Sequence, residues 1–347
     1  MDRRMVSAVP VSVVMPARGA ERDLRRALTA LAASDPRPAE TILVDDASPT
    51  PLAPVAAEFG CRYVRREVRG GPGAARNDGV RAAAEPTVLF VDSDVLVHPD
   101  TVGRVAARFA APDAPAALFG SYDDAPGSPR FLAQYKNLVH HFIHQGARRA
   151  AHTFWGGCGA IRRDAFEAAG GFDVELFDVP SVEDIDLGYR LTDRGLRIEL
   201  DPELQVCHLK DWRFFDLLRV DVLKRAVPWT RLMLLRGSTP PDLNLKPHHR
   251  ASGVLVLLLL AAPIAAWATS GRARVAVGAA ALAVAVALLV LNRDLYGFLF
   301  RKRGALFAAR SVPAHWLYYA YASAAFAVTK ALWAVGVRGR FRRRARP

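Results

Sequence analysis

Apolar and polar positions alternate in blocks along the first two hundred residues. Val11 to Met15 is a short, largely β-branched run ended by Pro16, and Leu24, Leu28 and Leu31 then recur at helical spacing until Asp35, Pro36 and Pro38 break the pattern. That spacing predicts a strand followed by a helix. Thr41 to Val44 reads as a second strand, Cys61 to Val64 as a third, Arg76 to Ala84 as a helix and Val88 to Val91 as a further strand. Asp100 precedes an amphipathic helix carrying Val102, Val105 and Phe109. Ala116 to Phe119 reads as a strand before a loop, Asp123 to Pro129, a longer helix runs through Tyr135, Val139 and Phe142, and Leu204 to Cys207 is a last strand. Strands alternating with helices predict an α/β fold, a mixed, mostly parallel sheet covered on both faces.

The pattern changes near Arg250. Ala251 to Gly271 carries no charge over 21 residues, Val275 to Asn292 none over 18 and Ser311 to Thr329 none over 19, each near the ~20 residues that cross a hydrocarbon core. Trp316, Tyr318, Tyr319 and Tyr321 suit an interfacial belt in the third segment. Trp212 to Leu235 mixes aromatics, leucines and arginines, as a helix lying along a membrane surface does; an ordinary helix packed on the preceding domain is the other reading. The expected division is a domain over 1–210, an amphipathic segment over 211–250, transmembrane helices within 251–337 (about 251–271, 274–292 and 311–337) and a basic tail over 338–347.

Charge follows the same boundary. From Arg250 onward there are 15 Lys plus Arg against the single acid Asp294, which leaves 32 basic and 33 acidic residues before it. The formal net charge of +13 therefore belongs to the membrane-like part, where basic residues beside apolar spans meet anionic lipid head groups. No interleaved aromatic and basic motif appears, so nucleic acid is not an expected partner. With the first domain in the cytosol, two spans form a hairpin that returns Arg301-Lys302-Arg303 to the cytosol. A third full span would export the six arginines between Arg338 and Arg346 against the positive-inside rule, so that segment is either re-entrant or its tail is tolerated outside. Cys61, Cys158 and Cys207 are widely spaced and lack a CxxC pair, which fits a reducing compartment. The opening MDRRMVSAVPVSVVMP has too short an apolar run for a signal peptide.

Three acidic signatures bear the candidate chemistry: Asp45-Asp46 and Asp92-Ser93-Asp94, each directly after an apolar strand, and Glu183-Asp184 farther on. Acids behind buried strands emerge at the carboxyl edge of a sheet, where α/β proteins bind ligands. Asp92 and Asp94 flank Ser93, and such a pair can surround Mg²⁺ or Mn²⁺ while leaving positions for diphosphate oxygens and water. Gly71-Pro72-Gly73-Ala74-Ala75-Arg76 lacks the third glycine of a dinucleotide fingerprint and reads as a flexible loop leading into a helix. His140 and His144 lie one helical turn apart, but no acid accompanies them as in a HExxH site, which favours a packing role over a metal.

The stretches VSVVMPARGAERDLRRAL, TILVDDAS, GGPGAARNDGV, VLFVDSDV, FWGGCGAIRRDAFEAAGGFD and SVEDIDLGYRL, in this order from about Val9 to His208, resemble a membrane-attached family 2 glycosyltransferase. The resemblance implies a single Rossmann-like nucleotide-sugar-binding domain of the A-type glycosyltransferase fold, with a nucleoside-diphosphate sugar as donor. It implies that Pro16, Ala17, Arg18, Asp45 and Asp46 border the base and ribose, that Arg76 faces the nucleotide, and that Asp92 and Ser93 lie by the ribose while Asp94 is the direct metal ligand. In some relatives a histidine at the position of His208 completes the metal site. Asp184 matches the general base, with Glu183, Trp155, Gly156 and Gly157 beside the acceptor; Trp155 reads equally as a core residue. Glu21 departs from the family pattern near Arg18.

The long-chain polysaccharide synthases of the family carry Q-x-x-R-W; here Lys224-Arg225-Ala226-Val227-Pro228-Trp229 keeps only the tryptophan, so transfer is expected to be non-processive. The expected activity is inverting, metal-dependent sugar transfer to a hydroxyl of a lipid-linked or membrane acceptor, serving a cell-envelope glycan. The site would face the cytoplasm of a multi-pass inner-membrane protein. A polyprenyl-phosphate glycosyltransferase, whose acceptor phosphate needs no base, is the first alternative, and a non-catalytic membrane scaffold of the same fold is the second.

Overall fold

A computed structural model describes residues 8–176, 181–238 and 246–337. The chain forms two compact units that divide between Trp212 and Arg213. In the first unit β1 (Ala8–Ala17), α1 (Glu21–Ala32), β2 (Arg37–Asp45), α2 (Ala53–Glu58), β3 (Arg62–Arg65), α3 (Gly71–Ala82) and β4 (Thr87–Val91) alternate as the apolar spacing predicts. They are followed by β5 (Val95–Val97), α4 (Thr101–Ala110), β6 (Ala117–Tyr122), α5 (Phe131–Gln145), β7 (Ala150–Ala151), β8 (Cys158–Arg162), α6 (Arg163–Ala168), α7 (Glu183–Asp193) and β9 (Ile198–His208).

The strands make one nine-stranded sheet in the order β3-β2-β1-β4-β8-β6-β9-β5, with β7 paired to β9. β3, β2, β1 and β4 are parallel, β8 runs antiparallel between β4 and β6, and β5 and β7 are antiparallel to β9. The mixed, mostly parallel sheet expected from the pattern is therefore present. Two apolar cores cover its two faces. One is built on Leu24, Leu28 and Leu31 of α1 with Val11, Val13 and Met15; the other packs Phe90, Phe154, Phe166 and Phe172 ring to ring at centroid separations of 5.4–6.2 Å. Alternate β1 residues feed opposite cores, the period-two geometry of a strand buried on both sides. Gly79 of α3 lies so close to β1 that a Cβ there would stand 2.2 Å from Val14 Cγ1, so the helix seats flush on the sheet.

Three elements differ from the sequence expectation. The segment over Gly71–Arg76, expected as a flexible loop, is the first turn of α3. Its helix entry is fixed from outside: the Asp46 carboxylate accepts the N–H groups of Gly70 and Gly71, each at 2.8 Å, which satisfies orphan donors of the helix start. Strand β8, hidden in the glycine-rich Cys158–Arg162, has every residue from Cys158 to Ile161 buried because it lies in the middle of the sheet. The three-residue β5 is too short for a periodic signal and exists because it pairs with β9, Val95 opposite His208.

The second unit is helical: α8 (Phe214–Arg219), a π-helical segment (Val220–Ala226), α9 (Val227–Arg236), α10 (Pro247–Trp267), α11 (Gly271–Leu291), α12 (Arg293–Arg303) and α13 (Ala305–Ala334). Among the described residues two helices, α10 and α11, are long and apolar enough to cross a membrane. Only 17% and 6% of their apolar windows are buried, the reverse of a soluble core helix. The third expected span fails that test. Although α13 runs 30 residues, its polar face is used for packing. Tyr319 donates to Asn292 Oδ1 (3.0 Å), Tyr321 donates to Asp221 (2.7 Å), and Tyr296 meets His315 Nδ1 (3.2 Å). Within the expected surface segment Phe215 is 79% exposed and Leu223 55% exposed. The basic tail, together with part of the 211–250 segment, lies outside the described residues.

Candidate active site

The carboxyl ends of β1, β2 and β4 stand side by side, with Ala17 opposite Asp45 and Val14 opposite Phe90. Asp45, Asp46, Asp92 and Asp94 therefore all emerge at one edge. They differ in what they touch.

Asp45 is fully buried and spent on its own surroundings. Oδ1 accepts the Ser48 N–H (2.8 Å), while Oδ2 accepts from Leu52 N (3.1 Å), the Tyr63 hydroxyl (2.7 Å) and Arg65 (2.7 Å). Burial would raise its pKa, but the hydrogen bonds from Ser48, Tyr63 and Leu52 outweigh it and hold the carboxyl below the usual range. Asp46, besides capping α3, forms an ion pair with Arg66 (3.1 Å). Pro16 and Ala17 are buried in β1, whereas Arg18 is exposed beyond it. Glu21 pairs with Arg25 on the surface of α1.

Asp92-Ser93-Asp94 forms the turn between β4 and β5, closed by the Val95 N–H on Asp92 O at 3.0 Å. The Asp92 and Asp94 side chains keep 33% and 29% of their surface, recessed among protein atoms but open. Asp92 Oδ1 accepts from Arg76 at 2.5 Å. Burial, with the neighbouring Asp94 charge, raises the Asp92 pKa against the pull of Arg76. Asp94 Oδ2 lies 3.7 Å from His208 Nε2. Burial again works to raise its pKa, but the His208 imidazole and then Lys210 bring it below the ordinary carboxylate value.

Glu183 and Asp184 open α7, at a helix end that favours negative charge. Glu183 is buried, accepts the Ser181 N–H (2.7 Å) and packs closely on Gly73, where a Cβ would stand 3.1 Å from its Cγ. Asp184 accepts the N–H of Gly156 (3.3 Å) and its own neighbour Ile185 (2.9 Å). Burial first, then the adjacent Glu183 charge, pushes its pKa up to about 6.

Arg76 connects these groups. It is 5% exposed, bonds Asp92, and lies under Gly156, where a Cβ would come within 2.9 Å of its Cζ. Glu183 and Asp184 add to Asp92 in keeping its guanidinium charged against the cost of burial. Asp92 and Asp184 are thus tied to one cation, and Asp92 N also bonds Gly157 O (3.2 Å). Trp155 does not stand alone beside Gly156 and Gly157: its ring contacts Tyr122 edge-on at 4.9 Å and His140 at 5.0 Å. The histidines of α5 serve packing, since His141 Nδ1 is 2.7 Å from Tyr122 O and His144 Nδ1 3.0 Å from Gly120 O.

A divalent cation fits part of the expected set. Asp94 and His208, an oxygen and an imidazole nitrogen 3.7 Å apart, are close enough to share one ion with bonds of about 2.1 Å. Asp92 is turned to Arg76 instead. Among the described residues no group of three or more His, Cys, Asp or Glu side chains is drawn together, so an ion held by these two would complete its shell with water or with ligand oxygens. Tyr63, Arg65, Tyr122 and Lys210 are neighbours that no motif singled out; the first three reach the site on paired strands β3 and β6, and Lys210 follows the end of β9.

Residues 12–170 match the model of glycosyl transferase family 2. The chain is 31% identical over 221 residues to a pre-mycofactocin glycosyltransferase of Mycobacterium tuberculosis, covering 58% of this chain and 44% of the relative. It is 30% identical over 234 residues to validoxylamine A glucosyltransferase of Streptomyces hygroscopicus subsp. limoneus, covering 57% and 51%. The chain spans about half the length of the curated relatives it matches. Its fold is similar to that of a mannosyltransferase from Pyrobaculum calidifontis solved with GDP-Man and Mn²⁺, with a TM-score of 0.61 at 21% identity over 92% of this chain and 88% of that one. It is over residues 12–170, on an A-type glycosyltransferase fold, that the chain is similar to glycosyl transferase family 2.

Proposed function

We propose that the chain is an inverting, metal-dependent glycosyltransferase that moves a sugar from a nucleoside diphosphate to an acceptor hydroxyl. The observation that carries this reading is the Arg76 junction. One buried cation ties Asp92, at the donor edge, to the strand-end glycines whose Gly156 N–H holds Asp184. Asp94 and His208 would hold Mg²⁺ or Mn²⁺, with Asp92 beside it; when bound, the ion draws charge from the departing diphosphate. Asp184, with its pKa near 6, is ionised at neutral pH and takes the proton from the acceptor hydroxyl as it attacks the anomeric carbon. Arg76 holds the second charge cluster in register, and Pro16, Ala17 and Arg18 border the nucleoside beside Asp45 and Asp46. Ser93 lies in the turn near the ribose. Trp155, Gly156, Gly157 and Glu183 line the acceptor side.

The relatives named as glycosyltransferases support sugar transfer, and the similar fold solved with GDP-Man and Mn²⁺ supports a nucleotide-sugar donor and a divalent ion. The second unit tethers the chain to a bilayer through α10 and α11, which favours a lipid-linked or membrane acceptor, a site on the cytoplasmic side and a role in envelope glycan assembly. Loss of the Q-x-x-R-W arginine favours non-processive transfer.

A panel of UDP-, GDP- and dTDP-sugars with Mn²⁺ tests the proposal by thermal shift, because a ligand that binds only the folded state raises its melting temperature. One donor class should stabilise the chain in a metal-dependent way; no shift with any of them overturns the transferase reading. Transfer that persists in Asp184→Asn would instead favour a phosphate acceptor, as in polyprenyl-phosphate glycosyltransferases.

A further inference from the structure

His208 ends β9, with its Nε2 3.7 Å from Asp94 Oδ2. Three contacts fix its backbone position. Val95 pairs with it across β5, Gly127 N donates to its carbonyl (2.9 Å), and the next residue, Leu209, donates from N to Asp94 O (2.9 Å). None of these sets the plane of the imidazole.

Tyr122, the last residue of β6, does. Its ring lies face to face on the His208 ring, centroids 4.3 Å apart and planes within 6°. It also meets His140 at 4.3 Å and 40°, and Trp155 stands edge-on to it at 4.9 Å and 87°. His140 in turn meets His144 at 3.9 Å, and His144 is fastened to the carbonyl of Gly120. The Tyr122 carbonyl is held by His141 and its N-terminal neighbour Ser121 pairs with Gln205 on β9. The tyrosine ring is therefore packed against His140 and Trp155 while it stacks on the imidazole. The side chain of His208 keeps 12% of its surface, with Nε2 3.7 Å from Asp94 Oδ2.

We propose that Tyr122 is a positioning residue for the metal site: it holds the His208 imidazole in the plane that points Nε2 at the Asp94 carboxylate. This rests on the reading of Asp94 and His208 as ligands. The physical reason is that an aromatic face restricts rotation about the histidine Cβ–Cγ bond, and outer partners that orient a ligating imidazole are worth ~10- to 100-fold in metal affinity. Neither the hydroxyl nor the charge state of Tyr122 is needed for this; a flat ring is.

The test uses Mn²⁺ binding to the purified full chain in detergent, read from the EPR signal of the free ion, with no donor or acceptor present. Binding lost in Asp94→Ala defines the site. His208→Ala should weaken it, Tyr122→Leu should weaken it by a comparable ~10- to 100-fold, Tyr122→Phe should bind as the parent does, and Tyr122→Leu combined with His208→Ala should bind no more weakly than His208→Ala alone. Tyr122→Met fills similar space without a flat face and carries the same expectation if the leucine variant does not fold. Parent-like Mn²⁺ affinity in a folded Tyr122→Leu or Tyr122→Met chain, while His208→Ala is impaired, overturns the positioning role alone. If Asp94→Ala and His208→Ala also bind as the parent does, the ligand reading fails and the inference falls with it.

Discussion

Two pairs of acids leave the same sheet edge under similar sequence signatures, yet their surroundings give them opposite work. Asp45 and Asp46, behind β2, are closed in by protein donors: Ser48, Leu52, Tyr63 and Arg65 for one, the α3 N-terminus and Arg66 for the other. Asp92 and Asp94, behind β4, share a single arginine and a single histidine and keep about a third of their surface. A carboxylate whose acceptor capacity is used up holds loops together. One that is recessed and under-used is available to a ligand.

The largest effects should separate chemistry from folding. Asp184→Asn should lower kcat by about 10²- to 10⁴-fold with donor binding preserved, measured by transfer assay and donor titration. The same variant should melt at a higher temperature than the parent at pH 7. The sign follows from its raised pKa: between the unfolded value near 4 and about 6 the folded chain binds the extra proton, so stability falls as pH rises and ionised Asp184 is a cost above that window. Activity should rise through about pH 6 as the base ionises; an unchanged melting temperature together with a flat pH profile would break the contrast.

Asp94→Ala should remove metal-dependent transfer while changing unfolding free energy by less than about 0.5 kcal/mol, since it anchors little else. Asp45→Ala should do the converse, lowering stability in urea unfolding by about 1–3 kcal/mol through stranded buried donors. Because the Asp45 pKa is depressed, its stabilisation is present above the ordinary carboxylate value and is lost as pH falls through the folded value, opposite in sense to Asp184. If Asp45→Ala folds as well as Asp94→Ala, the distinction between the pairs is wrong. The smallest effect is Gly156→Ala, whose Cβ displaces the Arg76 guanidinium; donor KM should rise by up to about tenfold, near 1.4 kcal/mol, with kcat less affected.

Much of this site is legible in the sequence because its acids follow strands that must be buried. Val88 to Val91 and Thr41 to Val44 are apolar enough to declare themselves strands, and a strand's end marks an edge. The π-helical turn, β5 and the polar packing of α13 were not legible, since each depends on partners distant in sequence. The aromatic clamp on His208 is the same case: Tyr122 carries no motif and lies 86 positions from the histidine it faces.

The linear chain by itself determined the alternation of strands and helices, the edge at which the acids emerge, and the apolar spans of α10 and α11, because these follow from local period and length. Only the tertiary structure decided which acids are spent and which are open, that Gly71–Arg76 is helical, and that Arg76 is shared by Asp92 and Asp184. Those outcomes are set by hydrogen-bond partners and charges brought together across the sheet, and pairing between distant strands leaves no periodic trace in the order of residues.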